Sequence, residues 1–486
     1  MPPFTEVQKA QLRERGISED EANRQLALLA APRGFPDVLR PCRAGDGIEA
    51  IARDREEELV DLHETAAKQG RCSKFVPASG AATRMFQELL SGNGAEALLA
   101  ALDRFAFADD LRAELTFREQ EVSEATIVDA LLGADGLGYA TMPKGLIPFH
   151  RYDAGPRTAF EEHLVEATSI VRDSEGVCRI HVTVSPEHLH AFRLLADRVV
   201  PKCEKRLGVR YALTWSVQKA ETDTLAGAPG GGAFVADDGT LVLRPAGHGA
   251  LLWNLQDTKG DVVFVKNIDN VQPDTRRAAT VRWKKILGGR LVELQRSVFL
   301  HVARLRARPT DPAHLDEAAQ FAQGVFGCEP PRGAAPAEMR GKALLQCFER
   351  PLRVCGVVRN TGEPGGGPYW VRRRDGRVTR QIVEAAEIDP SRAEVMREAT
   401  HFNPVDLVCG LRNVDGKPFD LAAFVDPRAV IVGRKSHQGR DLVAFERPGL
   451  WNGGMADWLT VFVEVPIETF TPVKTVMDLL RPEHQA

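Results

Sequence analysis

At 486 residues the chain exceeds one typical domain and can bury a large core with one or two satellites. A hydrophobic fraction of 43%, a charged fraction of 27% and a net charge of -4 are those of a soluble globular protein and exclude nucleic acid or an anionic membrane as a bulk electrostatic partner. No apolar run reaches bilayer length, the first residues lead into a charged helical pattern and not a signal peptide, and the 8 cysteines are scattered without C-x-x-C spacing; the expectation is a cytoplasmic protein with reduced thiols, without nucleic-acid or membrane partners.

Residues 6–29 carry leucine and alanine at helical spacing, broken at Gly16, with Ser18 placed to cap a second helix. After a Gly/Asp loop, residues 48–68 read as one long acidic helix, so 1–70 is expected to be a helical lead-in. Phe75–Pro77 is then a short apolar run that breaks into Ala78, Ser79, Gly80, Ala81, Ala82, Thr83 and Arg84 before a helical pattern from Met85. Strand, small-residue loop and helix start make a phosphate cradle. Small side chains admit backbone N–H groups to a polyphosphate, a helix N-terminus adds unpaired donors, and Arg84 adds a fork-shaped cation. Taken alone, the stretch reads equally as a plain strand-to-helix turn.

Residues 86–140 are helical in pattern and form a predicted insertion. Pro143-Lys144-Gly145 follows, pinning a lysine that is either an ordinary surface residue or, given the cradle upstream, a second cation for phosphates. Strands alternating with helices from Arg179 to Val217 predict a mainly parallel sheet with ligands at the carboxyl ends of its strands. Gln218 lies at such an end, where its amide can meet a nucleobase edge or stay solvated. Gly247-His248-Gly249 permits close approach of a ligand or supplies a positive φ. The apolar run from Asp261 to Val271 reads as a buried parallel strand that delivers Asn267, Asp269 and Asn270, and Asp269 is the leading candidate for holding Mg²⁺, a hard ion that takes oxygen ligands and bridges to phosphates.

In the second half, 306–345 is a Pro- and Ala-rich connector, and Leu352–Val358 is a strand leading to Asn360 and a glycine-dense loop with Glu363, Tyr369 and Trp370 suited to sugar-like rings. Gln381–Asp389 is a strand or strand-turn whose Glu384 and Glu387 read, blandly, as a cap pair. His401, Asn403 and Asp406 fall close together, but Pro404 and the lack of a nucleophile motif argue against a hydrolytic triad. Lys474, held by Pro472-Val473 before a terminal helical pattern, is placed to fold back on the same phosphates.

The order of these motifs resembles the UDP-sugar pyrophosphorylases, nucleotidyltransferases with a glycosyltransferase-A-like Rossmann core, and more closely a bacterial family of uncharacterised proteins related to them. Ser79–Arg84 resembles the Gly-x-Gly-Thr-Arg loop, Pro143–Gly145 the Pro-Lys-Gly element, Pro245–Gly249 the Pro-Gly-Gly-His-Gly loop and Lys266–Val271 the strand whose aspartate holds Mg²⁺. Gln381–Ile388 is similar to the strand beside the sugar, and Phe470–Leu480 to the C-terminal Phe-x-Pro-Val-Lys-Thr element, the most specific of the set. Departures are Ala82 for glycine, Ala246 for glycine, Ala385 and Ala386 for tyrosine and serine, and the long insertion.

The resemblance implies an α/β fold, a Rossmann-like core with a mixed, mainly parallel sheet, the nucleotide part at 71–305 and the sugar-phosphate part at 346–486. It implies catalytic roles for Arg84, Lys144 and Lys474; nucleotide contacts from Ser79, Gly80, Ala81, Ala82, Thr83, Gln218, Gly247, His248 and Gly249; sugar-phosphate contacts from Asn360, Glu363, Glu384 and Asn403; and Mg²⁺ on Asp269 with Asp406. An NTP, UTP first, and a sugar 1-phosphate would be the partners. The alternatives are a nucleotide or nucleotide-sugar sensor without turnover and a plain glycosyltransferase.

Overall fold

In the computed structural model the described residues are 4–31, 34–80, 82–331, 335–362 and 365–485, with the side chains of 403–405 left aside. Among them, nine strands form one sheet, in the spatial order Arg43–Ala44, Gly47–Glu49, Leu459–Glu464, Leu352–Arg359, His401–Gly410, Val262–Val265, Cys72–Pro77, Val177–Val184 and Arg210–Val217. His401–Gly410 runs antiparallel to both its neighbours, and the remaining pairings are parallel. A parallel sheet is covered on both faces, which is why its central strands are continuous apolar runs; Val262–Val265 is buried at each position. The reversed strand has a positional consequence: His401 pairs with Arg359, so its start lies at the same edge as the carboxyl ends of the others.

Helices Arg53–Lys68 and Ala278–Ala307 pack together on one face. Two consecutive glycines in the middle of the longer helix look like poor choices, since each costs about 1 kcal/mol against alanine in a helix. Their reason is contact. A Cβ at Gly289 would sit 1.8 Å from the Leu59 carbonyl oxygen, and one at Gly288 would sit 2.6 Å from His63 Nδ1. The insertion after the cradle holds four short helices, Gln87–Leu90, Ala95–Ala100, Ala108–Phe117 and Glu124–Leu132, around a core that includes stacked Phe105 and Phe107.

The lead-in begins as its pattern predicts, with helices Glu6–Glu14 and Glu19–Ala30 and with Ser18 Oγ accepting from the Glu21 N–H at 3.1 Å. The expected helix over 48–68 is shorter than its pattern. It starts at Arg53, and Gly47–Glu49 is instead a strand beside Leu459–Glu464. Gly47 has φ +93°, and a Cβ there would meet Cys42 Sγ at 2.8 Å and Trp370 Nε1 at 3.0 Å, so tertiary contact overrides the helical pattern. Asp37–Pro41 joins a second sheet with Gly367–Arg372 and Val378–Val383. The 8 cysteines are free thiols, and no described helix is long and apolar enough to cross a membrane.

Candidate active site at the carboxyl edge of the sheet

The cradle loop leaves its strand tied to both neighbours: Pro77 O accepts from the Ile268 N–H at 3.3 Å and the Ala78 N–H donates to Thr183 O at 2.8 Å. Ser185 Oγ donates to Ser79 O at 2.8 Å, while the space where a Gly80 side chain would stand is open. Two features differ from the expected cradle. The helix start is one 3₁₀ turn, Ala82–Arg84, ahead of the four-residue helix Gln87–Leu90, so no long helix dipole points at the loop. The Ala82 N–H, expected to face phosphate, is spent on Met142 O at 2.9 Å, and Thr83 Oγ1 donates to Ala140 O at 3.2 Å. Arg84 is exposed and is the cation this loop presents.

Lys144 reaches across the edge. Its Nζ lies 2.9 Å from Asp269 Oδ2 and 2.7 Å from Val473 O. Gly145 lets this loop lie flush, since a Cβ there would be 2.7 Å from the Phe192 ring. The C-terminal arm is stitched to the same turn: the Val473 N–H donates to Asp269 O at 3.0 Å and the Thr471 N–H to Asn270 Oδ1 at 3.0 Å. Lys474 is exposed beside this junction, its Nζ 5.6 Å from the Phe402 ring centre. Residues 144, 269 and 473 therefore meet, although they lie on three separate stretches of chain.

Asp406 does not join them. Its side chain is 3% exposed and is ion-paired with Lys284 in the interior, a correction to its expected place as second metal ligand: its carboxylate already neutralises a buried ammonium. Gln218 is half-buried just past the Arg210–Val217 strand, where the Asn254 amide donates to Ser216 Oγ at 2.9 Å and to Val217 O at 2.8 Å. Asn360 is exposed, its Oδ1 accepting from the Gly362 N–H at 2.9 Å. Ala81, Glu363 and the Asn403 side chain lie outside the described residues.

The Gly247-His248-Gly249 turn is shaped by protein neighbours. Gly247 has φ +73°, and Cβ atoms at Gly247 and Gly249 would stand 2.6 Å from Glu446 Oε2 and 2.2 Å from Pro448 O. His248 Nδ1 accepts from the Leu450 N–H at 3.0 Å, its ring stacks on Trp451 at 4.4 Å, and desolvation lowers its pKa to about 4, which leaves it neutral. Trp451 Nε1 in turn donates to Glu384 Oε1 at 3.3 Å. Glu384 caps the 3₁₀ turn Ala385–Glu387, and Asn452 Nδ2 donates to Glu387 Oε2 at 2.9 Å. Burial raises the Glu387 pKa to about 7.

The family described as a domain of unknown function, DUF4301, matches residues 5–485. The chain belongs to this family. No curated protein matches its sequence. Among solved structures it is similar to the UDP-N-acetylglucosamine pyrophosphorylase of Trypanosoma brucei, solved with an inhibitor, at 14% identity and TM-score 0.51 over 98% of this chain and 79% of that one. It is also similar to a single-residue mutant of the Leishmania major UDP-glucose pyrophosphorylase, solved with UDP-glucose, at 12% identity and TM-score 0.50 over 98% and 77%. At such identities the likeness shows the fold. The DUF4301 chain has a mixed α/β, mainly parallel core like that of these pyrophosphorylases.

Two residues of the DUF4301 chain that sequence reasoning left without a role, Trp451 and Asn452, link the histidine turn to the Glu384 turn. A signal was present: Gly449, Gly453 and Gly454 crowd around them, and a Cβ at Gly449 would fall 1.8 Å from Asn452 Oδ1. As for metal, no group of three or more His, Cys, Asp or Glu side chains among the described residues is arranged as a cage. The Asp269 side chain, 22% exposed and bonded to Lys144 through one oxygen, fits a different mode: Mg²⁺ commonly takes one or two carboxylates, keeps waters and binds substrate phosphates.

Proposed function

We propose that this DUF4301 protein is a sugar-1-phosphate nucleotidyltransferase that joins an NTP, UTP first, to a sugar 1-phosphate and releases pyrophosphate. The supporting observation is the junction of Lys144, Asp269 and the Val473–Lys474 arm at the carboxyl edge of a pyrophosphorylase-type sheet. In the proposed reaction an oxygen of the sugar phosphate attacks the α-phosphorus in line, a new P–O bond forms, and the bond to the β-phosphate oxygen breaks. The attacking phosphate is already an anion and requires no strong base. Catalysis is then alignment and charge neutralisation by fixed groups.

Arg84 and Lys144 hold the triphosphate and the leaving pyrophosphate, and Lys474 faces the incoming phosphate. Asp269 would hold Mg²⁺, which supplies further neutralisation of phosphate oxygens when bound. Gln218 and the Gly247–Gly249 turn would serve the base and Asn360 and Glu384 the acceptor, a role the sequence resemblance extends to Glu363 and Asn403. The test is pyrophosphate release with Mg²⁺ across four NTPs crossed with a panel of sugar 1-phosphates. Release that requires both substrates is expected. No release in any combination overturns the reading.

A second reading has its own observation. Lys144 is neutralised by Asp269 and held by Val473 O, an arrangement that also suits a nucleotide sensor without turnover. Binding of an NTP without pyrophosphate release would establish it.

A further inference from the structure

Beneath the carboxyl edge, five elements each send one ionisable group into the same dry space. Lys74 comes from the Cys72–Pro77 strand, Glu166 from the helix Ala159–Ile170, Lys266 from just past Val262–Val265, Lys284 from Ala278–Ala307 and Asp406 from His401–Gly410. None of the five is more than 3% exposed. Glu166 is shared, with Lys74 Nζ at 2.8 Å from Oε1, Lys266 Nζ at 2.7 Å from Oε2 and Lys284 Nζ at 3.8 Å from Oε1. Lys284 also pairs with Asp406. Lys74 Nζ donates to His163 O at 3.1 Å, and His163 Nε2 lies 3.2 Å from Ile268 O, the carbonyl before Asp269. Desolvation holds His163 neutral, its pKa well below the usual imidazole range.

Three lysine side chains thus face two carboxylates. Even a matched buried set gains little against its desolvation cost, so a third buried lysine needs a reason beyond stability. The strands that carry Lys74 and Lys266 end, within a few residues, at the cradle loop and at the Asp269 turn. A positive charge held in low dielectric there favours an anion at that edge.

We infer that the unmatched lysine of this cluster is a buried counter-charge that draws a polyphosphate to the carboxyl edge, with Lys74 as the positioning residue that supplies it. The identity of the anion rests on the nucleotidyltransferase reading; the charge imbalance does not. Asp406 and Glu166 hold Lys284 charged, with its pKa raised. At Lys74, burial outweighs Glu166 while Lys284 and Lys266 repel, and its pKa falls to about 7. Lys74 is therefore the lysine that an approaching anion most readily turns into an ammonium.

The test is titration calorimetry of wild-type protein and Lys74→Met near neutral pH, with UTP, inorganic tripolyphosphate and uridine as probes. The expected result is about tenfold weaker binding of UTP and tripolyphosphate, with uridine affinity unchanged and the unfolding midpoint no lower. A structural role would weaken uridine and UTP alike, and that outcome, or unchanged UTP affinity, overturns the inference. Lys74→Gln, neutral yet still able to donate to His163 O, carries the same test if the methionine variant does not fold. Failure of both variants to fold makes Lys74 structural and also overturns it. Wild-type protein that binds neither UTP nor tripolyphosphate removes this inference together with the proposed function, whereas charge-selective binding without turnover removes the transferase alone.

Discussion

Lys144 Nζ stands 2.9 Å from a carboxylate and 2.7 Å from a carbonyl that belong to two distant stretches, and a phosphate oxygen arriving there would compete for the same ammonium. Replacing Asp269 with alanine removes the carboxylate proposed to face Mg²⁺ at a partly exposed position, where folding depends little on it. Asp269→Ala and Arg84→Ala are each expected to lower the rate of pyrophosphate release by at least about a hundredfold, the usual loss for one preorganised electrostatic group, with an unchanged urea midpoint. Near-normal turnover in either variant excludes that residue from the mechanism. Asp406 belongs to a different account. Asp406→Asn leaves Lys284 buried without its closest carboxylate and is expected to destabilise by about 3–5 kcal/mol in urea unfolding. Local pattern made Lys144, Asp269 and Lys474 legible because loop lysines after proline and a carboxylate at a strand end are short-range signals. It misplaced Asp406 because the partner that withdraws it, Lys284, is 122 residues away.

At the scale of elements, two glycines in helices carry opposite expectations. Gly289 touches the backbone of the neighbouring helix, and a backbone carbonyl cannot step aside as a flexible side chain can; Gly289→Ala is expected to cost more than about 2 kcal/mol. Gly324, exposed in the helix Pro312–Phe326 with nothing within 4 Å of its missing Cβ, has no such neighbour, and Gly324→Ala is expected to gain about 0.5–1 kcal/mol. Urea unfolding of the two variants checks both signs; similar effects would refute the contact argument.

The Ala385–Glu387 turn adds a pH dependence. Glu387 is raised to about 7 in the folded chain from an ordinary value of 4.5, so the native state binds its proton more tightly than the unfolded state. The stability this proton contributes is complete below pH 4.5 and is lost as pH rises through about 7. Glu387→Gln should flatten the fall in unfolding free energy across that window, and an unaltered slope would locate the titration elsewhere. Helices with local caps, such as the one Ser18 starts, were legible in the sequence. The strand at Gly47–Glu49 was not, since three residues carry no period and their partner strand lies at the other end of the chain.

On the whole-molecule scale, alternation of strands and helices announces a mainly parallel sheet, but not that Gly47–Glu49 near its start pairs with Leu459–Glu464 near its end. That pairing joins the two halves of the chain in one sheet, and the C-terminal arm brings the second half to the Lys144–Asp269 junction. The arm is anchored beyond Lys474: His484, 2% exposed, stacks on buried His150 at 5.3 Å with His484 Nδ1 3.0 Å from His150 Nε2, and His150 Nδ1 lies 3.0 Å from Glu162. Burial and the neighbouring His150 lower the His484 pKa to about 3, so His484 enters the contact as a neutral ring at ordinary pH. Removing the ring leaves His150 Nε2 without its partner and loosens the arm, including the Val473 carbonyl that Lys144 donates to, while Asp269 still pairs with Lys144 and Arg84 stays on its own loop. His484→Ala is therefore expected to speed amide exchange across residues 470–485 and to lower kcat by about tenfold, the low end of what mispositioning distant from the chemistry costs, with KM for the NTP little changed. If exchange quickens while kcat holds, Lys474 does not act on the attacking phosphate. If KM for the NTP rises in step with the loss of kcat, the arm serves the nucleotide and not the acceptor.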